Sequence, residues 1–137
     1  LAALRIGYLV GDERVVEVIR RTCVVYSVNS LAQQAALASL EDAEEHIMRT
    51  RKMVRAAKEY LADELTKLGL FHISGEGNFA VIRLPMSDTL AYRKLMRQGI
   101  MVRTMTGFRF PNHIRVTLGR LPVMEDFVKA LKTIIPR

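Results

Sequence analysis

The chain has 137 residues, half of them hydrophobic, with 21 Lys plus Arg against 14 Asp plus Glu, a net charge of +7 and a single cysteine. That length suits one domain, or a small domain with an attached piece; Cys23 alone excludes an internal disulfide and fits a reducing compartment, and no apolar run reaches the length of a membrane span. The charge invites a nucleic-acid reading, but Lys and Arg are spread over every predicted helix without the basic and aromatic interleaving of an RNA-binding sheet, so a solvated surface is expected and neither nucleic acid nor membrane is a partner.

Leu4–Gly11 (LRIGYLVG) is rich in β-formers and predicts a short strand. Asp12 is placed to cap a helix running to about Thr22, with Val15, Val16 and Ile19 inward. Cys23–Asn29 reads as extended. Ser30, with Gln33 three residues later, has the spacing of a capping box. The helix it opens, LAQQAALASL, is apolar almost all round and needs cover on several sides. A long helix follows over about Asp42–Leu68. Ile47, Val54, Leu61 and Leu68 repeat every seven residues there, charged residues fill the remaining surface, and Gly69 is a natural stop.

From Leu70 the period changes. LFHIS, NFAVIRL, IMVRTM and HIRVTLG read as strands. Between the second and third lies a helix with Ser87 as cap and Gly99 as stop. A last helix opens at Pro122, with Phe127, Leu131 and Ile134 on one side and no side-chain cap before it. The prediction is an α+β fold, a short mixed or antiparallel sheet with helices on one face. Residues 42–137 form this domain, and residues 1–41 are a strand and helices belonging to something larger.

Arg103 and Arg115 sit on the third and fourth of these strands, joined by the loop Thr104–Asn112. If the strands pair antiparallel, both guanidinium groups project from one face. An anion between them would reconcile two like charges, since each guanidinium grips an oxygen pair with a planar fork. The alternative is that both point into water from an open sheet face. Cys23, His46, His72 and His113 have no metal-ligand spacing, and His72 and His113 have the parity of the polar face.

Five segments in order, LAALRIGYLVGD, YSVNSLAQ, GNFAVIRLP, GIMVRTMTGF and HIRVTLG, resemble the C-terminal part of fold-type I pyridoxal-phosphate aminotransferases, most of all the histidinol-phosphate aminotransferase branch. The resemblance covers nearly the whole chain. It implies that Arg5 holds the phosphate of the cofactor, that Tyr26 and Asn78 border the substrate pocket, that Arg115 binds the substrate's acidic group, and that Arg103 is a second anion-binding arginine. It further implies a cytoplasmic homodimer of histidine biosynthesis, moving an amino group between an amino phosphate such as histidinol phosphate and a 2-oxo acid such as 2-oxoglutarate. The family's Schiff-base lysine lies upstream of the position matched by Arg5, so no catalytic residue is assigned within this chain. None of Lys52, Lys58, Lys67, Lys94, Lys129 and Lys132 has the desolvated setting of an activated amine. The chain alone is therefore expected to be inactive and not to retain pyridoxal phosphate. Other readings stand beside this one: a decarboxylase of the threonine-phosphate type, an aminotransferase of aromatic or aliphatic amino acids, and a non-catalytic binding or assembly module that keeps the fold.

Overall fold

A computed structural model describes residues 2–41 and 43–136. Asp42, expected as the first residue of the long helix, lies outside the described residues. The chain divides into two units, Leu1–Met48 and Arg49–Arg137.

In the first unit a short 3₁₀ turn, Ala2–Leu4, is followed by helices α1 (Glu13–Arg20) and α2 (Ser30–Glu41). Asp12 caps α1 as predicted, its Oδ1 accepting the Arg14 N–H at 2.9 Å. The strand expected over Leu4–Gly11 does not form, because β-propensity makes a strand only where a ladder partner completes it. Nor is Cys23–Asn29 extended throughout: the chain turns at Val25 and Tyr26, with Tyr26 at φ 59°. The cap of α2 is Asn29, one residue earlier than predicted; its Oδ1 accepts the Ala32 N–H at 2.9 Å. Both α1 and α2 are largely uncovered. No residue of α1 is buried, against the inward stripe expected of it. Only Ala32 is buried on α2, while Leu31 is 77% exposed and Leu37 and Leu40 stand in solvent. A helix with this much bare leucine gains by association. Sedimentation of the 137-residue chain is expected to show concentration-dependent self-association that the combined change Leu31→Glu, Leu37→Glu, Leu40→Glu removes; a monodisperse wild-type chain would count against this.

Helix α3 (Ala43–Lys67) runs on to Gly69. That glycine adopts φ +65°, its N–H bonds to the Thr66 carbonyl, and the Leu70 N–H reaches back to Leu65, the paired bonds that terminate a helix at a left-handed residue. The second unit then builds a four-stranded antiparallel sheet from β1 (His72–Ile73), β2 (Phe79–Arg83), β3 (Arg103–Thr104) and β4 (His113–Thr117), in the order β1-β2-β4-β3. Helix α4 (Asp88–Met96) joins β2 to β3, and α5 (Leu121–Ile134) closes the chain. The same glycine device ends α4: Gly99, at φ +77°, donates to Met96, and Ile100 donates to Leu95.

Period-two alternation sends Ala80, Ile82, Ile114 and Val116 to one face, where they meet Leu61 and Leu65 of α3, Ala91 and Leu95 of α4, and Phe127, Leu131 and Ile134 of α5 in one core. This is the predicted layer of helices on one face of a sheet. The cap of α5 is Arg120 through its backbone, without a side-chain bond, as expected. His72 is a correction. It lies opposite the buried Ile82, hence on the core-side face and half-buried, not on the polar face; in a two-residue strand a slip of one position inverts the parity.

An ion pair ties α3 to α5. Glu64 accepts from Lys132 Nζ at 2.6 Å and from Lys67 Nζ at 2.7 Å. These two hydrogen bonds, that from Lys132 first, lower its carboxyl from 4.5 to about 2. A carboxyl lowered on folding stabilises the folded chain above its unfolded pKa, and that contribution is lost as pH falls. Stability is therefore expected to fall between about pH 4.5 and pH 2, and Glu64→Gln to flatten this part of the acid-unfolding curve; an unchanged curve would remove Glu64 from the account.

Candidate functional site

Two of the predicted site residues of the second unit, Arg103 and Arg115, meet on the face of the sheet opposite Ile82 and Ile114. In the β3–β4 ladder Arg103 lies directly opposite Arg115, so the two side chains leave the same face with Cβ atoms about 5 Å apart. Both are exposed. Like charges directly opposite are unfavourable in a sheet, and the structure offsets this with aromatic rings. The Arg115 guanidinium carbon lies 5.2 Å from the centroid of Phe79 on β2, and that of Arg103 lies 5.5 Å from the centroid of Phe108 in the 3₁₀ turn Thr106–Phe108. Each ring presents its electron-rich face to a cation and restricts where it points. Among the described residues neither arginine has an ion pair.

Asn78 is not brought to this pair: it lies at the end of β2, level with the buried Leu118. Its carbonyl accepts the Leu118 N–H at 2.8 Å, continuing the β2–β4 ladder one step beyond Phe79 opposite Thr117. That backbone bond fixes the chain just before Phe79, whose ring supports Arg115. Arg103 and Arg115 also border a groove of about 890 Å³ between residues 98–103, β4 and α5, with Met101 and Phe127 in its lining, a size that accommodates a small ligand.

Arg5 and Tyr26 belong to the first unit. Arg5 follows the 3₁₀ turn at φ 61°, and Tyr26 is 96% exposed at φ 59°. Among the described residues only four non-glycine residues have positive φ: these two, Arg109 and Asn112. Such conformations are uncommon outside glycine.

The sequence reading missed one buried carboxylate. Asp88, at the first position of α4, is 2% exposed. Its Oδ2 accepts the N–H groups of Met105 and Thr106 at 2.9 Å each, and its Oδ1 accepts the Thr106 hydroxyl at 2.7 Å. Burial alone raises its pKa, but these bonds, with a further one from the Thr89 N–H, outweigh burial and hold it below the ordinary value. The neighbouring Ser87, predicted as the cap, makes no side-chain cap bond. Two cap-type residues in succession were the available signal; only the fold shows that Asp88 reaches the loop after β3.

No group of three or more His, Cys, Asp or Glu able to hold a metal occurs among the described residues, and none of the described helices is long and apolar enough to cross a membrane. The lysines do not fit covalent attachment of an aldehyde cofactor. Five are exposed, and the half-buried Lys58 donates to the Gly75 carbonyl at 2.6 Å. Hydrogen bonding to Glu64 raises Lys67, the opposite of what a nucleophilic amine requires.

Similarity to known proteins runs along the same lines. The family pattern described as aminotransferase class I and II matches residues 1–131. Histidinol-phosphate aminotransferase 1 of Nitrosococcus oceani is 38% identical over 135 residues, which are 98% of this chain and 36% of that protein. Histidinol-phosphate aminotransferase 2 of Pseudomonas fluorescens is 35% identical over 137 residues, 100% of this chain and 37% of that protein. The chain thus spans little more than a third of these relatives. In fold it is similar to the histidinol-phosphate aminotransferase from Clostridium acetobutylicum (TM-score 0.72, 22% identity, 90% of this chain and 38% of that one) and to L-threonine-O-3-phosphate decarboxylase from Porphyromonas gingivalis (TM-score 0.73, 23% identity, 96% and 42%). The family match over residues 1–131, with relatives 35–38% identical along nearly the whole chain, establishes that this chain belongs to the class I and II aminotransferases.

Proposed function

We propose that the chain is the substrate-anion wall of an aminotransferase that moves an amino group between an amino phosphate of the histidinol-phosphate type and a 2-oxo acid such as 2-oxoglutarate. The observation that carries this is the Arg103–Arg115 pair, opposite in register, ring-supported and, among the described residues, without an ion pair. Arg115, on the interior strand β4, is the grip for the acidic group common to both half-reactions. Arg103, on the edge strand β3, serves the phosphate of the donor; Asn78 and, in the first unit, Tyr26 are each assigned to the substrate by the family resemblance alone. Residues 1–41 are assigned to the large domain and 42–137 to the small domain of a cytoplasmic homodimer.

Pyridoxal phosphate supplies an electron sink in this family. The lysines of this chain do not fit its covalent attachment, so no step through it is derived from them; Arg5 is proposed as a contact to its phosphate in the whole enzyme. What the chain's own residues do is bind and orient. Two planar forks side by side form one anion site, Arg115 gripping the donor's phosphate or the acid group of the 2-oxo acid and Arg103 adding to the grip on the phosphate, and the rings behind them limit the arginines' freedom before the substrate arrives, which lowers the cost of ordering on binding.

The test is turnover with a panel of amino donors. The enzyme carrying this chain is expected to prefer a phosphorylated donor over its dephosphorylated counterpart. The 137-residue chain alone is expected to show no turnover, and no single lysine in it should be trapped by borohydride in the presence of pyridoxal phosphate; a single-site adduct would refute this. A second reading, decarboxylation of a phosphorylated amino acid, is supported by the fold similarity to the threonine-phosphate decarboxylase, because the same arginine pair suits either substrate. Release of carbon dioxide without consumption of a 2-oxo acid would favour it.

A further inference from the structure

We infer that Asp88 is a positioning residue for Arg103, acting through Thr106 and the ring of Phe108. Strand β3 has only two residues, and its one ladder is with β4. A pairing this short sets the face from which the Arg103 side chain leaves but not where its guanidinium comes to rest. The segment after β3, by contrast, is held tightly. The Met105 N–H is shared between the His113 carbonyl at 3.0 Å and Asp88 Oδ2 at 2.9 Å, while Thr106 gives Asp88 both its N–H and its hydroxyl. From that anchor the 3₁₀ turn is closed by Phe108 N–H to the Met105 carbonyl and Arg109 N–H to the Thr106 carbonyl, both 2.9 Å, and Phe110 N–H returns to Met105. The turn delivers the Phe108 ring to the guanidinium of Arg103.

Arg115 has no such dependence. It lies on β4, between β2 and β3, and its ring partner Phe79 is part of β2 itself. The carboxylate thus acts on one arginine of the pair and not on the other. Asp88 is also the only charged residue among the buried ones described. Burying a carboxylate is unfavourable unless its oxygens are bonded, and here the compensating donors come mostly from the loop that carries Phe108. The consequence for substrate rests on the proposed anion-binding role of the arginines; the positioning itself does not.

The test uses the ¹⁵N-labelled 137-residue chain and the Nε–Hε resonances of Arg103 and Arg115, assigned by their loss in Arg103→Lys and Arg115→Lys. In the wild-type chain both protons are expected to be displaced upfield by the ring each guanidinium covers. Asp88→Ala removes a buried carboxylate whole and can unfold the unit, so Thr106→Val, which keeps shape and removes the hydroxyl, carries the test. It is expected to abolish most of the displacement at Arg103 and leave that at Arg115 unchanged, with Thr106→Ser restoring the wild-type value. Inorganic phosphate added to Thr106→Val is expected to bind about tenfold more weakly than to wild type, equivalent to about 1.4 kcal/mol. An unchanged Arg103 resonance in Thr106→Val would overturn the inference. Equal loss at both arginines would also overturn it, since that is what general loosening of the sheet produces. If the wild-type chain shows no saturable phosphate response, the anion reading fails, and the comparison of resonances still decides the positioning.

Discussion

Arg115→Ala is expected to lower kcat/KM of the enzyme carrying this chain by roughly thirty- to several-thousandfold, the equivalent of about 2–5 kcal/mol for leaving a bound anion without its partner. The loss should appear with every donor and with the 2-oxo acid, because Arg115 is assigned the acidic group that both half-reactions present. Arg103→Ala is expected to cost less overall and to act selectively, raising KM for the phosphorylated donor while leaving the unphosphorylated 2-oxo acid nearly unaffected. Lysine should rescue poorly at either position, since an ammonium cannot reproduce a planar two-point grip and stacks less well on Phe79 or Phe108. Steady-state kinetics of the single variants with both substrates check this. Equal, non-selective losses in the two variants would contradict the division of labour.

The second large effect lies one residue away and concerns stability. Ile114 is fully buried, and its register partners are Ile82 on β2 and Thr104 on β3. Ile114→Ala removes three carbons from the centre of the core and is expected to cost about 2–5 kcal/mol, according to how far the site collapses. Against a total stability of about 5–15 kcal/mol that is a large fraction. Arg115→Ala, on the open face of the same strand, should stay within about 0.5 kcal/mol of wild type. Denaturant midpoints of the two variants make the comparison between adjacent residues on one strand, one in the core and the other proposed to bind the anion. A large stability loss for Arg115→Ala would mean that its stacking on Phe79 is structural.

The elements most legible in the sequence are those determined by local chemistry. Gly69 and Gly99 mark helix ends because only a left-handed residue closes those bonds, and both adopt it. The alternation of NFAVIRL and HIRVTLG gave β2 and β4 their buried faces, and Phe127, Leu131 and Ile134 their place in the core. What escaped the reading is non-local or ambiguous by one residue. Asn29 and Ser30 are both cap-formers, and the side-chain geometry selects Asn29. Leu4–Gly11 has the composition of a strand and no partner among the described strands. The juxtaposition of Arg103 and Arg115 followed from pairing the strands, but their aromatic supports did not. Phe108 reaches Arg103 only because a loop with two left-handed non-glycine residues, Arg109 and Asn112, is anchored on a carboxylate 17 and 18 positions before the residues it binds. No period or propensity encodes such a bond.

The central claim is that the two arginines form one anion site, and calorimetric titration of the 137-residue chain with inorganic phosphate tests it most directly. The account predicts one saturable, salt-sensitive site per chain, weakened in Arg103→Ala and in Arg115→Ala and absent when both are replaced. Binding that never saturates, or that is the same in wild type and the double variant, would contradict it and leave the pair as two solvated cations on an open sheet face.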